Sequence, residues 1–199
     1  MKSKLFFLFF ICVSTFSCRK IIDSVDSLSK EDIKVEDLKE VKVNNTYTIS
    51  IPKYMKEMKS LNDDASFEYA NLFKETYTIV IDEDKEEFIK TFKDVEIYID
   101  SLSPVENYSN FQISSIQENM KSKEVKELTF KIKNLSSKQY EVHGTTEDNI
   151  DVSYLIGFVE SDDKMFMLMS WTVDDRYKKY KNTFKMIQNS FKLLKKSEI

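Results

Sequence analysis

Few side chains in this sequence could do chemistry, and their spacing narrows what that chemistry would be. His143 is the only histidine, so any Ser-His-Asp relay or His-carboxylate pair would have to use it. It stands in Tyr140-Glu141-Val142-His143-Gly144, a strand pattern that turns it away from Val142 and onto a polar face, where a lone imidazole is ordinarily solvated. One histidine cannot build a multi-histidine metal centre. Met165, Met167 and Met169 alternate, which places three thioethers on one strand face. Soft sulfur selects Cu(I), so these three are the copper candidates. Trp171 and Val173 continue the same face, however, and methionine is a common filler of irregular cores, so the stripe reads first as core. Asp82-Glu83-Asp84-Lys85-Glu86 has the acidic spacing that opens a calcium loop. Glu87 then stands where that loop needs glycine, and Lys93 where it needs its bidentate glutamate. The run reads instead as the acidic start of a helix. Asp162-Asp163 and Asp174-Asp175 read as turn and helix-cap residues. No catalytic residue, metal site or cofactor is assigned, and the chain is expected not to be an enzyme.

The two cysteines, Cys12 and Cys18, both lie near the start of the chain. Lys2 and Lys4 precede the apolar run Leu5 to Val13, and Ser14-Thr15-Phe16-Ser17 leads to Cys18. A basic start, a short apolar stretch and small residues before a break form a secretory signal. The cysteine makes it resemble a bacterial lipoprotein signal, with Ser17 matching that pattern and Thr15 and Phe16 departing from it. The resemblance implies cleavage before Cys18 and fatty acylation of its thiol and new amino group, with palmitate an expected chain. Two acyl chains hold a protein stably on a membrane where one is marginal. An ordinary cleaved signal peptide is the alternative; a spanning helix would need about 20 apolar residues. The implied location is the bacterial envelope, on the periplasmic face of the outer membrane.

Cleavage would remove residues 1–17 and leave no free thiol, excluding disulfides and cysteine nucleophiles from the remaining domain. Loss of Lys2 and Lys4 takes the net charge from −4 to −6, with no basic stripe to hold nucleic acid. Fifteen Phe and ten Tyr argue for a packed core, and two glycines are too few for a phosphate-cradling loop. Asp23-Ser24-Val25, Asp26-Ser27-Leu28 and Asp100-Ser101-Leu102 resemble the Asp-Ser/Thr-hydrophobic acceptor of Bacteroidetes O-glycosylation. Ser24 and Ser27 are the candidates, because they fall in a polar stretch expected to be exposed.

The elements that must position these residues follow from periodicity. Residues 18–40 read as the acylated cysteine and a tether, 41–194 as the folded domain and 195–199 as a tail. Val43, Tyr47, Ile49 and Ile51 alternate with polar residues as one strand ended by Pro52. Residues 66–81 read as two strands with a break near Phe73-Lys74-Glu75, the second covered on both faces. Phe88, Phe92, Val95, Ile99 and Leu102 predict one helix closed by Pro104, and a second helix runs from Tyr108 to Lys121. Phe130 and Ile132 suggest a strand, and Gln139 to Thr145 another. Residues 152–158 and 165–173 form the clearest hairpin. The helix opened by Asp174 lines up Tyr177, Tyr180, Phe184, Ile187 and Phe191. This order predicts an α+β fold, an antiparallel sheet flanked by helices.

Two stretches are similar to the PsbP-like α/β/α sandwich superfamily, which includes DcrB-type bacterial lipoproteins. One is Tyr47-Thr48-Ile49-Ser50-Ile51-Pro52; the other is Trp171-Thr172 followed by the helix ending Ile187-Gln188-Asn189-Ser190-Phe191. The resemblance covers roughly 41–194 and carries no catalytic motif. It implies a lipid-anchored, non-catalytic envelope module that binds another envelope or secreted protein. Two other roles fit such a domain: immunity against a secreted bacterial toxin, and binding of a small molecule or copper.

Overall fold

The computed structural model describes residues 30–194. Cys18, Ser24 and Ser27 lie outside the described residues.

The chain enters through a short 3-10 turn at Val35–Asp37 and strand β1, Leu38–Val43. Strand β2, Tyr47–Pro52, pairs back on it antiparallel. The expected single strand from Val43 to Ile51 is therefore two. Asn44 and Asn45 both take left-handed backbone (φ 45° and 54°), and Thr46 N–H donates to the Val43 carbonyl at 2.8 Å, so the chain reverses there. Asparagine tolerates that conformation better than most residues. The folded unit also begins before residue 41. Glu31 accepts hydrogen bonds from Tyr54 (2.9 Å), Thr183 (2.6 Å) and Lys74 (2.9 Å), so part of the expected tether is built into the body.

Strands β3 (Lys56–Glu57), β4 (Ala65–Asn71) and β5 (Thr76–Asp84) come next. Helices α1 (Lys85–Asp94) and α2 (Pro104–Glu118) follow them. Strands β6 (Lys121–Leu128), β7 (Ser136–Thr145), β8 (Asp151–Glu160) and β9 (Lys164–Val173) then lead into helix α3 (Asp174–Asn189) and strand β10 (Lys192–Leu193). Seven strands form one antiparallel sheet in the order β3-β4-β5-β9-β8-β7-β6, and β1-β2-β10 form a small second sheet.

Alternation along β5, β8 and β9 sends apolar side chains to both faces, so two cores form. Leu155, Phe166 and Leu168 meet Tyr177, Phe184 and Ile187 of α3, with Tyr47 and Ile49 of the small sheet beside them. On the other face, Ile156, Phe158 and Met167 meet Phe88 of α1 and Tyr108 of α2. The result is the expected sandwich: a helix and small sheet, a large sheet, and a pair of helices.

Three further expectations are corrected. The helix expected to run to Leu102 stops at Asp94, because Glu96 takes left-handed backbone (φ 60°) and the Ile97 N–H turns back to the Phe92 carbonyl at 3.0 Å. Pro104 opens the next helix rather than closing this one. Ser103 caps it, its side chain accepting from Glu106 N–H while Glu106 reaches back to Ser103 N–H. Phe130 and Ile132 belong to no strand; they lie beyond β6 as buried side chains of the α3-side core. Strand β6 is an edge strand that carries Lys121, Lys123, Glu124, Lys126 and Glu127, and such a density of charge discourages pairing with another chain.

Candidate functional site

His143 lies on the sheet face beneath the start of α3, in register with Ser153 across β7 and β8. Ser153 is in turn in register with Thr172, two residues before Asp174. These registers gather Ser153, His143 and Asp174. Nδ1 of His143 is 2.7 Å from Ser153 Oγ and 3.0 Å from Asp174 Oδ1, and the Ser153 hydroxyl donates to Asp174. A catalytic relay needs the serine on Nε2 and the carboxylate on Nδ1. Here both oxygens crowd one nitrogen, and Ser153 is fully buried with its proton committed to Asp174. The arrangement locks a helix start onto a sheet; it does not arm a nucleophile.

Asp174 therefore does not cap α3, whose N-cap is Val173 and carries no side-chain hydrogen bond. The Ser153 hydroxyl, then His143, hold the Asp174 carboxyl below its ordinary value. Beside it, Glu141 is buried against Lys181 at 2.6 Å. Burial alone would raise Glu141, but the Lys181 ammonium outweighs it and the net shift is downward. Tyr177 packs edge-on against the imidazole, with ring centroids 5.2 Å apart. Burial and the Glu141 charge push its phenol well up.

The other sequence candidates have ordinary surroundings. Met165 and Met167 are buried and Met169 is half-buried, all among apolar side chains of the α1–α2 core. Asp82 pairs with Lys164, Glu83 accepts from the Tyr108 hydroxyl at 2.7 Å, and Asp84 caps α1 through Glu87 N–H. Among the described residues, no three His, Cys, Asp or Glu side chains gather as a metal site, and no helix is long and apolar enough to cross a membrane. Ser101, in the third acceptor-like motif, sits exposed in the loop between α1 and α2.

That same loop builds a surface the sequence did not announce. Phe92 of α1, Ile97 and Ile99 of the loop, and Asn107, Phe111 and Ser114 of α2 line a shallow groove of ≈ 180 Å³. Val95, Ile97, Ile99 and Phe111 are all exposed. The loop is pinned by Asn107, a buried side chain. Its Nδ2 donates to the carbonyls of Ile99 (3.0 Å) and Leu102 (3.2 Å), and its Oδ1 accepts from Ile99 N–H at 2.8 Å. Phe111 stands edge-on to Phe92 at 4.8 Å. Lys93 and Asp100 pair nearby at 3.1 Å. The groove thus has an apolar centre with polar neighbours, held in place by a buried amide. A larger cleft of ≈ 340 Å³ between β1 and β4 is lined by charged side chains, Lys42, Glu57, Lys59 and Glu68, beside apolar ones such as Val41, Met58 and Phe67. Sequence reasoning missed the groove because Val95 and Ile99 fit the buried face of a longer helix. The capping sequence Ser103-Pro104-Val105-Glu106 was the signal that a new helix starts there.

The layered architecture defines a PsbP-like α+β sandwich. Among solved structures, the chain is similar to the cyanobacterial PsbP (CyanoP) from Synechocystis sp. PCC 6803. The TM-score is 0.53 and the identity 14%, over 83% of this chain and 97% of that one. It is also similar to PA94, a protein of unknown function from Pseudomonas aeruginosa, with TM-score 0.44 and 10% identity, over 77% of this chain and 94% of that one. At such identities the likeness concerns the fold. No family model matches the sequence, and no curated protein matches it.

Proposed function

We propose that this chain is a lipid-anchored bacterial envelope protein whose folded part is a non-catalytic module that binds another protein through the α1–α2 groove. The observation that carries the reading is the exposure of Val95, Ile97, Ile99 and Phe111 on a loop pinned by Asn107. Large apolar side chains set out on a braced surface lower the free energy of a complex without reorganisation. The shared nitrogen of the Ser153–His143–Asp174 cluster supports the non-catalytic part. The resemblance of residues 1–18 to a lipoprotein signal supports the anchor.

The test places a photo-crosslinking amino acid at Ile99, at Phe111 and, as a control, at Lys126 on the β6 edge, in cells of the producing bacterium. The expected result is one discrete adduct from Ile99 and Phe111, absent from Lys126 and abolished by Ile97→Asp. Equal labelling from all three positions, or none, overturns the reading. A toxin as the adduct would assign the groove to immunity, and an envelope-assembly protein to assembly.

A further inference from the structure

We propose that the turn joining β4 to β5 is a membrane contact, in which Leu72 and Phe73 dip into the lipid surface beside the acyl anchor. This rests on the anchoring proposed at Cys18. Leu72 is 60% and Phe73 79% exposed, the latter the most exposed of the large apolar side chains among the described residues. The turn that carries them is braced. Lys74 N–H donates to Asn71 Oδ1 at 2.9 Å, and Asn71 Nδ2 donates to the Tyr54 carbonyl at 3.1 Å. Arg176 donates to the Phe73 carbonyl at 3.3 Å and pairs with Glu75 at 3.2 Å. The backbone is held while the two side chains point into solvent. Fixed, exposed apolar side chains at a turn are a surface for an apolar phase.

The path of the chain says which phase. Glu31 accepts from Lys74 Nζ at 2.9 Å, one residue from Phe73, and its N–H donates to the Lys179 carbonyl at 3.0 Å. The chain therefore enters the fold beside the turn. Cys18 stands 13 residues before Glu31, a stretch that spans at most about 45 Å. An anchor attached there holds this end of the molecule at the highest local concentration of lipid. The charges around the turn are mixed, with Lys74 and Arg176 facing Glu31 and Glu75, so the contact needs no anionic lipid. The α1–α2 groove lies on the other helical layer and stays uncovered.

The test uses the chain from Cys18 onward, whose one thiol is alkylated with a single tetradecyl chain by the alkyl halide, and vesicles of phosphatidylcholine and phosphatidylethanolamine. One chain gives marginal, reversible binding, so a second contact shows directly in the partition coefficient. The expected result is a loss of about tenfold or more for Leu72→Ser with Phe73→Ser. Phe73→Trp should raise partition, because indole favours the interface. Ile97→Ser with Ile99→Ser, in the groove, should stay within about twofold. Opposite movements at one position cannot come from misfolding. Equal partition of the turn and groove variants overturns the proposal. Because the lipid is installed chemically, this result is independent of what the cell does at Cys18. Mass spectrometry of the native chain reads that separately, and an unmodified Cys18 would sink the anchor while leaving the partition result standing.

Discussion

His143 and Ser153 both lean on one oxygen of Asp174, so the cluster acts as a clasp whose strength depends on that carboxylate being charged. Asp174 and Glu141 are both held below their ordinary values of 3.8 and 4.5. The folded state then binds fewer protons than the unfolded chain. The stability they contribute is complete above those ordinary values and is lost as pH falls through the lowered folded ones. Glu83 runs the other way: burial raises it, so its charge weighs against the fold as pH rises. Thermal melting should therefore show Tm falling from about pH 5 to about pH 3, with a shallower fall in Asp174→Asn and Glu83→Gln neutral or stabilising at pH 7. A second residue-scale constraint sits at Gly157. A Cβ there would lie 2.8 Å from Gln188 Oε1, and Gln188 is fully buried, donating to the carbonyls of Leu155 (2.8 Å) and Leu168 (3.0 Å). Gly157→Ala should cost about 1–3 kcal/mol in urea unfolding, because the amide cannot move without abandoning those carbonyls.

Helix α1 ends without a glycine, with Glu96 in the left-handed region where a Cβ is disfavoured. Glu96→Gly should stabilise by about 0.5–1 kcal/mol, and Ser103→Ala, which removes the cap of α2, should destabilise by about 1 kcal/mol, both by chemical denaturation. These two termini also mark where the sequence was legible and where it was not. Alternation read β5, β8 and β9 correctly, and helical spacing read the buried face of α3, because each buries a continuous apolar pattern. It overran α1, because Val95, Ile99 and Leu102 keep helical spacing in a loop and only the capping residues say otherwise. It missed β1 and β6, because both are edge strands dominated by Lys and Glu, paired through backbone rather than side-chain burial. It placed His143 on the face opposite Val142 but expected it solvated, whereas it is half-buried under α3 against Tyr177, because Ser153 and Asp174 meet it only through the registers of β7, β8 and β9.

Across the whole molecule, Glu31 fastens the entering chain to β2's exit at Tyr54, to the β4–β5 turn at Lys74 and to α3 at Thr183. Glu31→Ala leaves the hydroxyls of Tyr54 and Thr183 without that acceptor and should cost about 1–3 kcal/mol, with amide exchange rising first in residues 30–40. The sheet order also fixes when this protein can fold. β5 is apolar on both faces, yet one of its two neighbours is β9, with Val80 opposite Leu168, and β10 closes on Tyr47 from the far end of the chain. Pairings so distant in sequence make folding slow. Until β9 has been synthesised, the first half of the molecule has a bare, two-sided greasy edge and nothing to lay on it. A ribosome must therefore have released β9 before the centre of the sheet can form. Fragments ending before β9 should accumulate as aggregates, with no half-sized native domain among them.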